Sequence, residues 1–128
     1  MILIFDIFGV VWRDNVLNLP LLRVAAEHRA RGGRVYFASN MNADDKEKFG
    51  PHLNEYGEAI LCSGELGVAK PSLEFYHQVV KRIGAKPDQI LFFDDSHTNV
   101  AAAKACGWQA FLYQDVADTR QLISESKT

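Results

Sequence analysis

Four short apolar runs in this chain each stop at a polar residue, and that rhythm constrains the fold more than any other feature. Residues 1–5 are apolar without a break and lead into Asp6. Residues 34–38, apolar after Arg34, lead into Ser39 and Asn40. Residues 59–62 lead into Ser63 and Gly64, and residues 90–93 into Asp94 and Asp95. Runs of this length, with β-branched and aromatic members and closed by turn residues, read as strands buried on both faces. A weaker fifth run covers residues 109–113.

Helix signals lie between the runs. Asn18 suits an N-cap and Pro20 a first turn, and Gly32-Gly33 stops that helix. Residues 42–49 read as a short polar helix ended by Gly50-Pro51. Pro71 is expected to open the next helix, in which Phe75, Val79 and Ile83 recur every four residues until Gly84. An alanine-rich helix is expected over residues 99–105, and a last one over residues 116–124 with a frayed tail after it. Residues 10–20 show no clear period, and residues 64–72 read as a loop.

Strands alternating with helices imply an α/β fold with a parallel sheet. In such a sheet all strand C-termini share one edge, where ligands bind. Asp6, Ser39, Asp94 and Asp95 should therefore converge, and Lys70 sits on a loop that can reach them. A carboxylate is costly to bury unless it is paired or holds a cation. Clustered carboxylates raise one another's pKa or recruit a cation, and oxygen ligands at this density suit Mg²⁺. Ser39 can donate a hydrogen bond, and Lys70 a point charge, to an anion. One carboxylate nucleophile, one hard-metal site and one anion clamp make an apparatus for phosphoryl transfer.

Other totals narrow the field. The net charge of −2 gives no reason to expect a nucleic-acid or membrane partner. No apolar run approaches spanning length, and no basic segment precedes the first run, so a cytoplasmic protein is expected. Cys62 and Cys106 form no framework and read as free thiols, small buried hydrophobes in a reducing compartment. With 48% apolar residues over 128, the chain suffices for one domain.

The same stretches carry a resemblance. FDIFGVV, VYFASN, SGELGVAKPSLEFY and ILFFDDSHTNVAAAKACGW resemble, in order and spacing, the four motifs of the haloacid dehalogenase-like (HAD) hydrolase superfamily. That resemblance implies a Rossmann-like three-layer sandwich with a central parallel sheet of about five strands and the nucleophile strand in its middle. It implies Asp6 as nucleophile, with Ser39 and Lys70 completing the catalytic set. Ser39, Asn40 and Lys70 would bind the substrate anion. Mg²⁺ would be held by Asp6, the backbone carbonyl of Phe8, Asp94 and Asp95, the last either directly or not at all.

Two departures from the pattern matter. The family's phosphatases carry a second Asp where this chain has Phe8, and Phe has no proton to give. The missing general acid–base step is typically worth ~10²–10⁴-fold. Moreover, no stretch is long enough for a sizeable cap, so residues 1–128 are expected to form a single core domain with an open edge. The function expected is an Mg²⁺-dependent phosphohydrolase working through an aspartyl phosphate and favouring leaving groups that need no protonation. Its partner would be a phosphorylated small molecule or macromolecule. The alternatives are a catalytically degenerate phospholigand-binding protein and a 2-haloacid dehalogenase.

Several residues are read more plainly. His97 is taken as a polar turn residue, and His28, His52 and His77 lack metal-ligand spacing. Arg13 is either solvated or steers an anion. Trp12 is either a wall beside the site or part of an association patch, and an exposed apolar edge over residues 10–12 would be a reason to expect a homodimer.

Overall fold

The computed structural model describes residues 1–126. The last two residues of the expected tail lie outside them. Five parallel strands form the sheet: β1 (Ile2–Phe5), β4 (Arg34–Ser39), β5 (Ala59–Cys62), β6 (Ile90–Asp94) and β7 (Gln109–Leu112). Their order is β5-β4-β1-β6-β7, so β1 is central and hydrogen-bonds to β4 and β6. Chain order reverses at β1, and the crevice beyond its C-terminal end is the place where such sheets bind ligands.

Side chains alternate across a strand, and β1 uses both faces. Leu3 and Phe5 pack into one core with Leu21, Leu22 and Ala25 of α1 (Leu19–Ala30) and Ile123 of α6 (Val116–Glu125). Ile2 and Ile4 pack into the other, with Phe75, Tyr76 and Val79 of α4 (Leu73–Ile83) and Val100 and Ala103 of α5 (His97–Ala105). Every residue of β1 is therefore buried, and the run has no polar face to alternate. The expected α/β sandwich is the observed one.

Differences from the sequence expectation are local and have physical causes. Residues 10–20 contain a hairpin, β2 (Trp12–Arg13) and β3 (Val16–Leu17), whose strands are too short to display a period of two. Asp14 and Asn15 turn it at φ 50° and 60°, the left-handed region that short polar side chains tolerate. Pro71 does not open α4; its peptide bond with Lys70 is cis, and the helix begins at Leu73 after Ser72. The expected loop over residues 64–72 contains most of a one-turn helix, α3 (Ser63–Leu66). Helix α5 starts two residues early, because the Ser96 hydroxyl accepts a hydrogen bond from the Asn99 amide and caps it. Residues 43–49 form α2 (Ala43–Phe49), as expected, with Asn42 as its cap.

The apolar edge considered for self-association is not open. Val10 and Val11 are fully buried in the α1 core, and only Trp12 is partly exposed. Cys62 is buried and Cys106 half-buried, both as free thiols. Among the described residues, no helix is long and apolar enough to cross a membrane.

Candidate active site

Asp6 follows β1 directly and is tied to the sheet by its amide, which donates to the Phe93 carbonyl at 2.9 Å. Asp94 is the last residue of the neighbouring β6. Between their carboxylates stands the Lys70 ammonium. Its Nζ lies 2.8 Å from Asp6 Oδ1, 2.8 Å from Asp94 Oδ2 and 3.0 Å from the Ala38 carbonyl oxygen. A lysine has three donors and no acceptor. All three are used, which is how a lysine only 5% exposed keeps its charge company.

The backbone of Lys70 is positioned by a second device. The Asn40 amide donates to the Lys70 carbonyl and its Oδ1 accepts from the Lys70 amide, both at 2.9 Å. The exposed loop residue Asn40 thus fixes a buried cation from across 30 positions of sequence. Ser39, buried at the end of β4, is the neighbour of Ala38 on that same strand.

Asp94 is held in turn by its own surroundings. Oδ1 accepts from the Ser96 amide at 2.9 Å, and Oδ2 accepts from Asn99 Nδ2 at 3.1 Å. Neither Ser96 nor Asn99 stood out in sequence beyond the start of a helix; a Ser two positions and an Asn five positions after a strand-end Asp is the signal that was there. Asp95 is exposed and leans toward the β1 loop. A Cβ on Gly9 would sit 2.0 Å from Asp95 Oδ2, so the carboxyl occupies the space a side chain there would need. Gly9 also has φ +91°, a second reason for glycine at this turn.

Asp6, Asp94 and Asp95 can each offer a carboxylate oxygen, and these oxygens lie within 4.8 Å of one another. Burial pushes the Asp6 carboxyl up to about 7; Lys70 pulls it down, and Asp94 and Asp95 add to the rise. Three carboxylates facing one ammonium leave an excess of negative charge that a hard divalent cation would offset. The donor set is all oxygen and mixes buried with exposed ligands, which fits Mg²⁺ with some water retained.

Phe8 does not join this charged cluster. Its side chain is 42% exposed and meets Phe49 of α2 edge-on, with ring centroids 5.3 Å apart. His97 lies exposed in the first turn of α5. His77 lies near Glu74, and His28 contacts the Met1 carbonyl, both away from the site.

Comparisons with known proteins bear on the family and the fold. The model of the haloacid dehalogenase-like hydrolase family matches residues 14–107. The chain is 35% identical over 117 residues, 87% of its length, to the sesquiterpene phosphatase astK of Aspergillus oryzae, and spans 58% of that protein. It spans 22% to 58% of the length of three curated relatives that it matches. A crystal structure of a Corynebacterium glutamicum protein superposes with TM-score 0.84 at 24% identity, covering 98% of this chain and 93% of that one. A HAD family enzyme of Bacteroides thetaiotaomicron, solved with magnesium and inorganic phosphate, superposes with TM-score 0.71 at 23% identity over 80% of this chain and 57% of that one. With most of its length matched by the family model and its sheet built as those structures are, this chain belongs to the haloacid dehalogenase-like hydrolases.

Proposed function

We propose that this chain is the core of an Mg²⁺-dependent phosphohydrolase that uses Asp6 as nucleophile. The observation that carries the reading is the buried Lys70 ammonium bridging Asp6 and Asp94 at the carboxyl edge of the sheet. Lys70 holds Asp6 Oδ1, which leaves the other carboxylate oxygen to attack phosphorus. The same ammonium can stabilise charge on the transferred phosphoryl group, with Ser39 and the second amide hydrogen of Asn40 as further donors. Asp6, Asp94, Asp95 and the Phe8 carbonyl would hold Mg²⁺, which would supply charge neutralisation to the phosphoryl oxygens. The chain would act as one core domain, with no sizeable cap among the described residues, on a phosphorylated small molecule or macromolecule.

Phe8 sets the preference. With no proton donor at that position, leaving groups that depart as stable anions are handled best. Water that opens the aspartyl phosphate likewise meets no base there. Phosphate release from acetyl phosphate, with and without Mg²⁺ and with Asp6→Asn as control, tests the reading. Turnover that requires both Mg²⁺ and Asp6 is expected. Turnover equal to that of the Asn variant would overturn it.

Phe8 itself favours a second reading, a protein that binds Mg²⁺ and a phosphoryl ligand without turnover. Stabilisation by Mg²⁺ and phosphate together, with no release of product, would mark that case. Chloride release from 2-chloropropionate without Mg²⁺ would point instead to dehalogenation.

A further inference from the structure

Beside the carboxylates lies a groove of about 520 Å³, lined by Phe8, Gly9, Trp12, Arg13, Phe49 and Tyr113 among others. Asp95 lines the groove and is also a member of the carboxylate cluster, so the groove adjoins the carboxylates. One wall is a chain of aromatic rings. Phe8 meets Phe49 at 5.3 Å and Phe49 meets Trp12 at 4.9 Å, each edge to face; His52, outside the groove lining, meets Trp12 edge to face at 5.4 Å. These rings come from three elements: the β1 loop, the hairpin, and the end of α2 with the turn after it. Tyr113 also lines the groove, and its hydroxyl accepts a hydrogen bond from Asn18 Nδ2 at 2.9 Å. Arg13 makes no ion pair among the described residues and stands exposed at the groove.

Resting on the phosphohydrolase reading above, we propose that this groove is the leaving-group subsite and that it selects aryl phosphate monoesters, whose flat ring lies against the Phe8–Phe49–Trp12 wall. Phe8 bears on the leaving group in two ways. Phe8 withholds a proton from the leaving oxygen and at the same time offers that leaving group an aromatic surface. A phenol has a pKa near 10 and departs as its anion with little help. An alkoxide, like hydroxide, is a far stronger base than a phenoxide and needs the acid this site lacks. In the first step an Asp6 oxygen–phosphorus bond forms and the aryl oxygen–phosphorus bond breaks. The bonding pair leaves on the aryl oxygen, which takes its proton from solvent. Water then cleaves the aspartyl phosphate, releasing phosphate and restoring the carboxylate.

The bland use of these rings is to anchor α2, which buries no residue of its own, against the hairpin. The test separates the two. Binding of 2-naphthylphosphonate and of methylphosphonate is measured by calorimetry in the presence of Mg²⁺, on the wild type and on Phe49→Leu, which keeps apolar volume and removes the ring. The naphthyl compound is expected to bind at least tenfold tighter, and Phe49→Leu to reduce that advantage by about two- to tenfold. In turnover, 2-naphthyl phosphate should exceed octyl phosphate, and Phe49→Leu should lower kcat/KM on naphthyl phosphate more than on acetyl phosphate. Equal affinity for the two phosphonates, or an octyl ester that equals the naphthyl ester, overturns the proposal. So does a Phe49→Leu variant that loses thermal stability without changing the naphthyl advantage. Loss of acetyl phosphate turnover is a separate outcome: it would remove the phosphohydrolase reading, while the phosphonate affinities would still decide the groove.

Discussion

Asp6 and Phe8 stand two residues apart in the loop after β1, and their burial is the reverse of what their polarities favour. The carboxylate is 7% exposed and the phenyl ring 42%. Around Asp6 the protein has built compensation: an ammonium with three acceptors, an asparagine that fixes that lysine's backbone, and a neighbouring carboxylate held by two donors. Around Phe8 the compensation is partial, since its ring touches Phe49 and otherwise faces the groove. A buried, paired charge contributes little net stability, because desolvation consumes most of the Coulomb gain. An exposed aromatic contributes less than a buried one. Neither residue is where stability alone would put it. Inversions of this kind are the expected trace of a site that must meet a charged group on one side and an apolar group on the other.

The most forceful way to break the comparison is to make position 8 resemble position 6. Phe8→Asp is expected to raise turnover of an alkyl phosphate by about 10²–10⁴-fold while changing acetyl phosphate turnover far less. Steady-state rates on the two substrates check it, and an unchanged ratio would show that position 8 does not serve the leaving group.

Removing the compensation at Asp6 comes next. Lys70→Met leaves two buried carboxylates without their cation and should cost about 3–5 kcal/mol in urea unfolding. If Mg²⁺ binds the folded carboxylate cluster as proposed, added Mg²⁺ should restore part of that loss. A variant as stable as the wild type would mean that Lys70 is not the group that keeps these charges inside.

Gly9 joins the two regions. Gly9→Ala places a Cβ on the Asp95 carboxyl and holds alanine at φ +91°, so a loss of about 1–3 kcal/mol is expected. Mg²⁺ affinity should fall with it if Asp95 contributes to the metal site. Unchanged affinity beside reduced stability would confine the residue's role to the turn.

A distant ion pair calibrates the scale. Arg120 of α6 donates to both carboxylate oxygens of Glu27 in α1 and holds that carboxyl below its usual value. A depressed carboxylate stabilises the fold above its unfolded pKa, and the contribution is lost as pH falls through the lower folded value. Both partners are exposed, so the effect is the smallest of the four. The melting temperature of Glu27→Gln should lie slightly below wild type near neutrality and converge with it in acid; a constant gap would assign the difference to packing.

The alternation of strands and helices was legible in sequence because each element carries its own pattern. A short unbroken apolar run such as residues 2–5, closed by turn residues, reads as a strand buried on both faces, and Phe75, Val79 and Ile83 mark a helix face by spacing alone. The polar residues at the strand ends then had to share one edge, so the convergence of Asp6 and Asp94 followed from topology. Lys70 was legible as a loop lysine able to reach them. The hairpin at residues 12–17 was not, since two-residue strands hold no period, and its Asp-Asn turn was the sole cue.

What only the tertiary structure decided concerns contacts without any local signature. That Lys70 is buried with all three donors used, that Asn40 clamps its backbone, and that Phe8, Trp12 and Phe49 meet in one wall depend on where separate elements come to rest. Local sequence sets which backbone conformations are favourable within a few residues. The company a side chain keeps is set by the packing of elements far apart in the chain, and burial, charge compensation and the shape of a groove are properties of that company.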